Sequence, residues 1–536
     1  MPTLPPWTWR IPAQFNAAAA CTDAHLGTVA ESRPAVICDD HVRGTRQLTF
    51  AQLAARTSQL AQLLRALDVS AGERVLVRLP NCLEYPTVFL GAMKRGAVPV
   101  PTSILLTADE VLFLARDAGA VALAMTRESW NALHDDLERI ETLRHVLLVG
   151  DGDAAPGRRL RLHDLDTALA AIATWEPPHP TAADDPAYLV YTSGTTGYPK
   201  GVLHAHRSLL GRQPASEYWF DFAAAGADRV LHSGKYNWTY VLGTGLMDPL
   251  YRATTTIVYE GPPSPEVWPR LIAAHGATIF IGVPTLYRQI LQKTDCAAAD
   301  VPTLRHCMSA GEPLSGEVLA EWRMRFGQNI YEGLGMTECS YYISQPRRYE
   351  IRPGSAGFPQ PGHAIQLLDP KTMEPVPVGE EGMVCIPRHD PALMLRYWHR
   401  EGETAELFRG DWYLTGDYAR LDTDGYLWFL GRRDDLINTF GYRVSPYEVE
   451  RVIKDHPDVA DCAAVGEEPE PGKVVVAAYV IPRPDSQLTT EAVAAYARDH
   501  LASYKAPRLV YLVDDLPRTR NGKILRRELR PPTNPG

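Results

Sequence analysis

The chain has 536 residues, 45% of them apolar and 22% charged, with a formal net charge of −10. This composition excludes a largely disordered chain, the acidic balance leaves no basic field for nucleic acid or anionic lipid, and the length exceeds the roughly 250–300 residues at which one core stops growing. Eight cysteines without a C-x-x-C pair exclude a disulfide framework and structural zinc, and no run approaches the roughly 18 apolar residues that span a bilayer. The N-terminal stretch MPTLPPWTWRIPAQF has no apolar signal core. The expectation is a cytoplasmic, multi-domain protein that acts on small molecules, with no membrane and no nucleic-acid partner.

In chain order, residues 49–66 predict a helix with Thr49 as N-cap, 73–80 a buried strand, 84–97 a helix, and AVPVPTS an extended return. PAYLVYT (186–192), ATIFIGVP (277–284) and QNIYEG (328–333) are short apolar runs bounded by Gly or Pro, as strands of a covered sheet are. This alternation predicts an α/β chain with parallel sheets flanked by helices. Beyond residue 400, Asp424-Gly425 sits between two alternating runs and predicts a hairpin. Ser445-Pro446 with Glu448 predicts a capped helix start, completed as a capping box. Strand, helix and strand signals follow, enough for a separate α+β unit. The charged run RRDD sets the boundary, giving domains 1–432 and 433–536.

The segment YTSGTTGYPKG (191–201) follows a predicted strand and precedes VLHAHRSLL, and so reads as a strand–loop–helix turn. Its glycines, hydroxyls and lysine can offer backbone N–H groups, O–H donors and a cation to phosphate oxygens. A P-loop is excluded, because Pro199 precedes Lys200 and Gly201 follows it. SAGEPLS (309–315), GLGMTE (333–338), YLTGD (413–417), GRRDDLINTFGYRVSPYEVE (431–450) and PRTRNGKILRREL (517–529) are further candidates for a site.

These six segments, in this order, resemble the motifs of the adenylate-forming superfamily: acyl- and aryl-CoA synthetases, adenylation domains of peptide synthetases and firefly-type luciferases. The resemblance spans roughly residues 45–530. It implies a large N-terminal domain of stacked sheets flanked by helices and a small mobile C-terminal domain. It implies activation of a carboxylic acid by ATP and Mg²⁺ as an acyl-adenylate, then transfer to coenzyme A. Thr192, Ser193, Gly194, Thr195, Thr196, Gly197 and Lys200 would hold the β- and γ-phosphates. Thr337 would contact the α-phosphate, and Glu338 would bind the metal. Ala310, Gly311, Glu312 and Pro313 would line the adenine, and Asp417 and Arg432 the ribose. Lys523 would be the catalytic lysine, Asp434 the hinge, and Gly441 with Tyr442 the lining of the thiol tunnel. Leu334 departs from the tyrosine usual at that motif position, and Tyr331 lies three residues earlier.

For the acid itself the residues say less. Tyr236, Trp238, Tyr240, Gly243, Gly282, Tyr287, Gly335 and Tyr341 predict a compact, apolar, partly ring-lined pocket with no cation to pair a second carboxylate. FIGVPTLY and GLGMTE are similar to benzoate-CoA ligases, whereas NWTYVLGTGLMDP is nearer to medium-chain acyl-CoA synthetases. A benzoate-like aryl or small cyclic acid is expected, with C4–C10 fatty acids and carrier-protein loading as alternatives. Homodimers are common in the resembled family, but no segment here marks an interface.

Overall fold

The computed structural model describes residues 6–172, 175–192, 199–223, 226–312, 314–432, 435–439, 442–470, 473–518 and 524–531. A nine-stranded sheet runs in the order Phe358–Pro359, Ser340–Ser344, Ile330–Met336, His306–Ala310, Ile279–Gly282, Arg229–His232, Thr255–Glu260, Pro34–Asp40, Gly44–Thr49. Its centre is parallel and its outer strands antiparallel. The predicted strands at 277–284 and 328–333 are neighbours of His306–Ala310, and their C-terminal ends open on one side.

A second sheet of five parallel strands carries the predicted Arg74–Arg78 strand at its heart. The helix Phe50–Ala66 packs on the helix Glu84–Lys94 and starts as expected: the Thr49 hydroxyl accepts from the Gln52 N–H, and the Gln52 side chain answers the Thr49 N–H. The hairpin at Asp424-Gly425 joins Trp412–Leu421 to Leu427–Arg432, with Gly425 at φ +87°, a conformation glycine adopts freely. In that register Asp417 lies directly opposite Arg432.

Two local expectations are corrected. The glycine-rich loop does not lead into a helix: Lys200–Ala205 is a strand, antiparallel to Pro186–Thr192, and helix begins only at Ser208. The run VLHA has every residue buried, so pairing it with the preceding strand satisfies its backbone where a helix would expose one face. Glu448 does not close a capping box, because its carboxylate pairs with Lys505 at 2.7 Å; the Ser445 hydroxyl alone accepts from the Glu448 N–H.

Residues beyond 436 build their own core around Val449, Ile453, Cys462, Val476 and Ala478. The helix Pro446–Lys454 faces the larger part: Tyr447 packs on Phe429, and Arg451 lies over Trp428. Ion pairs Arg483–Glu317 (2.7 Å) and Arg288–Asp461 (3.8 Å) span the same junction. Among the described residues no helix is long and apolar enough to cross a membrane.

Candidate functional site

A cavity of about 520 Å³ opens at the strand ends of the large sheet and is closed over by Tyr447, Arg451 and Lys454 of the C-terminal helix. Four stretches predicted from separate motifs meet there. Ala310, Gly311 and Glu312 leave the strand His306–Ala310; Thr337 and Glu338 follow Ile330–Met336; Asp417 and Arg432 come from the hairpin; Thr192 ends the strand before the glycine-rich loop. Gly311 has φ +95°, and a Cβ there would approach the Trp238 ring at 3.5 Å, so glycine lets the chain turn tightly beside an aromatic wall.

Glu338 is 9% exposed. The Tyr397 hydroxyl donates to its Oε1 at 2.6 Å, and its carbonyl accepts from the Met394 N–H at 2.7 Å. Lys200 rests over the Tyr397 ring at 5.5 Å and pairs with Glu403 at 2.5 Å. Arg432 Nε stands 3.4 Å from Asp417 Oδ1. The Thr337 segment is held from below. His204, whose pKa burial drives down to about 3, is neutral, and its Nε2–H donates to the Thr337 carbonyl at 2.9 Å. The His204 ring stacks on Tyr188, whose hydroxyl accepts from Arg212, and Arg212 pairs with Asp248 at 3.0 Å in full burial.

On the cavity wall the Glu332 carboxylate accepts from the Leu314 N–H at 2.9 Å, and burial pushes its pKa up to about 8. The folded chain then keeps a proton that the unfolded chain has released above about 4.5. Stability from this group is complete below pH 4.5 and falls as pH rises to 8, by up to about 1.4 kcal/mol per pH unit. Glu332→Gln is therefore expected to gain melting stability over the wild type between pH 5 and pH 8; parallel pH curves would contradict this.

At the inner end, Trp238, Tyr240, Gly335 and Tyr341 line the cavity as predicted. Four other predicted lining residues do not. Tyr236 is buried and stacks on Tyr85, with ring centroids 4.9 Å apart. Tyr287 is buried against Trp322, its hydroxyl donating to the carbonyls of Phe280 and Met308. A Cβ on Gly282 would meet Tyr287 at 3.3 Å, and one on Gly243 would meet Tyr341 at 3.3 Å, so both glycines back a wall instead of forming it. A stretch dense in aromatics does not reveal which rings face inward to core. Leu334 lines the cavity, whereas Tyr331 stacks on His306 in the core and does not take its place.

Trp219 was not read from the sequence. It lies flat on Gly333, where a Cβ would come within 2.4 Å of the indole, and its Nε1–H donates to the Tyr331 carbonyl at 3.0 Å. No local pattern marks it, since its partner is 114 positions away. Ser193, Gly194, Thr195, Thr196, Gly197, Pro313, Asp434, Gly441 and Lys523 lie outside the described residues. Tyr442 opens the short strand Tyr442–Val444. Arg526, three residues past Lys523, binds Glu450 at 2.8 Å and covers the Tyr447 ring at 4.4 Å, on the cavity wall.

Residues 26–398 match the AMP-binding enzyme family, and residues 448–523 match its C-terminal domain. The chain belongs to that family of AMP-binding enzymes. It is 32% identical to a benzoate-CoA ligase of Thauera aromatica over 97% of both chains. It resembles the crystal structure of a benzoate CoA ligase from Burkholderia xenovorans at TM-score 0.85 and 30% identity, covering 96% of this chain and all of that one. An anthranilate CoA ligase crystallised with anthranoyl-AMP gives the same TM-score and identity, with 96% of each chain covered.

Proposed function

We propose that the chain is an ATP-dependent carboxylate–CoA ligase for a compact aryl acid, built as an N-terminal domain 1–432 and a C-terminal lid 433–536. One observation carries the reading: a single cavity joins a polar end, with Thr337, Glu338, Asp417 and Arg432, to an aromatic end, with Trp238, Tyr240 and Tyr341. The polar end suits a nucleotide. Asp417 can accept the ribose hydroxyls, and Arg432 holds its carboxylate in place. Thr337, pinned through its carbonyl by His204, offers its side chain beside the α-phosphate. Lys200 and the loop before it serve the outer phosphates; Glu403 holds the ammonium until they arrive.

Glu338 fits Mg²⁺. It is a carboxylate on the cavity wall steadied by a phenol, and a magnesium ion carried on a triphosphate needs only one or two such ligands. Among the described residues no three metal-ligating side chains converge elsewhere. When bound, the ion would spread the charge that develops on the phosphate oxygens.

The chemistry has two halves. A carboxylate oxygen attacks the α-phosphorus, the bond to pyrophosphate breaks, and an acyl-adenylate forms. The thiolate of coenzyme A then attacks the acyl carbonyl, and AMP leaves with the oxygen that made the attack. Lys523 would stand between carboxylate and α-phosphate in the first half and lower their repulsion. The anchoring of Arg526 to the cavity wall supports an approach of its neighbour from that side. Asp434 would be the hinge that withdraws it, and Gly441 with Tyr442 would border the thiol path.

The test is AMP release dependent on ATP and coenzyme A, screened over benzoate, substituted benzoates, cyclohexanecarboxylate and straight-chain acids. Aryl acids are expected to lead. Preference for C4–C10 chains would overturn the aryl reading, and acyl transfer to a phosphopantetheinylated carrier with none to coenzyme A would overturn the ligase reading.

A further inference from the structure

His363 and Asp390 form a buried pair that does not border the cavity, with Nδ1 2.7 Å from Oδ2. A carboxylate can only accept, so Nδ1 carries the proton. The second Asp390 oxygen accepts from the Ala392 N–H at 2.9 Å, and the Asp390 carbonyl accepts from the Leu393 N–H at 3.1 Å. Arg207 adds a bond to the Pro391 carbonyl at 2.6 Å. Residues 391–395 form neither helix nor strand, so these side chains give the segment the fixed course that regular structure would otherwise supply. The N-terminal stretch roofs the pair. Trp9 stands edge-on to His363 with ring centroids 5.4 Å apart, and its Nε1–H donates to the Gly362 carbonyl at 3.2 Å. Gly362 has φ +89°, and a Cβ there would come within 2.7 Å of both Trp7 and Trp9, so the indoles rest where only glycine fits.

The same segment runs on to Glu338 and grips it twice. The Met394 N–H donates to the Glu338 carbonyl at 2.7 Å, and the Tyr397 hydroxyl donates to Glu338 Oε1 at 2.6 Å. Burial and the Glu338 charge both push the phenol's pKa up, so it remains the donor. The backbone bond fixes where the glutamate starts, the phenol fixes how its carboxylate is turned, and Oε2 is left to meet a cation. Asp390 anchors one end of this brace, and Tyr397 delivers the other.

We infer that His363, Asp390 and Tyr397 are positioning residues for the carboxylate of Glu338: the buried pair anchors the segment 390–397, and the segment sets the place and rotation of the group that meets magnesium. The inference rests on the reading of Glu338 as the magnesium ligand and goes beyond it. A carboxylate that must first be turned into place binds its ion less tightly, and loss of a partner behind a metal ligand typically costs about 10–100-fold in affinity or activity.

The experiment is calorimetric and omits the carboxylic acid and coenzyme A, so that nothing turns over. The dissociation constant of ATP is measured in EDTA and in MgCl₂ for the wild type, Tyr397→Phe, His363→Ala and His363→Asn, and the readout is the ratio of the two constants, the gain the metal gives. Tyr397→Phe removes one oxygen and keeps the ring beneath Lys200. It is expected to cut the ratio by about tenfold or to bring it to near unity, with ATP binding in EDTA little changed. His363→Ala is expected to lower the ratio as well, and His363→Asn, whose amide can still donate to Asp390, to restore most of it. A variant that is merely less stable loses ATP binding with and without metal together and leaves the ratio where it was. A ratio unmoved in Tyr397→Phe would overturn the inference, as would one unmoved in His363→Ala or equally low in His363→Asn. No gain from MgCl₂ in the wild type would instead overturn the reading of Glu338 as the magnesium ligand.

Discussion

Lys523→Ala is expected to slow acyl-adenylate formation by about 10²–10³ or more, while thioester formation from a supplied aroyl-adenylate stays within a few fold of wild type. The reason is electrostatic. In the first half-reaction an anionic carboxylate must approach an anionic phosphate, and a positioned ammonium between them counts most where charge is shared in the transition state. In the second half-reaction the attacked carbonyl is neutral and the lysine is no longer needed there. Gly441→Trp is the converse, because an indole in the thiol path blocks the second half and spares the first. Pyrophosphate exchange reads the first half, and single-turnover thioester formation reads the second. Equal loss of both halves in Lys523→Ala would contradict two uses of one cavity, and so would unimpaired turnover in Gly441→Trp.

Arg212→Met is expected to destabilise the chain by about 3–5 kcal/mol. Arg212 and Asp248 are fully buried and 3.0 Å apart, and Asp248 Oδ2 already has no other partner. Removing the guanidinium strands a carboxylate in the core and unhooks Tyr188, on which His204 stacks under Thr337. The loss is a large share of the roughly 5–15 kcal/mol that holds a domain together. Replacing both partners, Arg212→Met with Asp248→Leu, is expected to recover most of it, since a matched apolar pair leaves no buried charge. Urea unfolding of the two variants beside the wild type is the check. A single-variant loss below about 1 kcal/mol, or a double variant as weak as the single, would show that the pair is not the support described.

The polar end of the cavity was largely legible in the sequence because each part is a contiguous motif. Ala310–Glu312 and Thr337–Glu338 sit where chain leaves sheet, Asp417 lies within the strand Trp412–Leu421, and the structure brings them to one cavity. The aromatic end was not. Whether a tyrosine lines a cavity or only fills a core depends on the face its element turns inward, and Tyr236 and Tyr287 lie wholly in core while Tyr240 and Tyr341 also border the cavity. Tyr397, Glu403, Trp219 and His204 carry no local signature; they matter through partners more than 50 positions away. The strand Lys200–Ala205 was misread because VLHA suits either helix or strand, and only its partner strand decides.

The most direct measurement of the central claim is isotopic. With an aryl acid labelled with ¹⁸O in both carboxylate oxygens, ATP and coenzyme A, the AMP released should carry one ¹⁸O per turnover, because the attacking oxygen stays on phosphorus. Unlabelled AMP, or ADP in its place, would mean that the carboxylate never bonds to the α-phosphorus, and the acyl-adenylate account would fall.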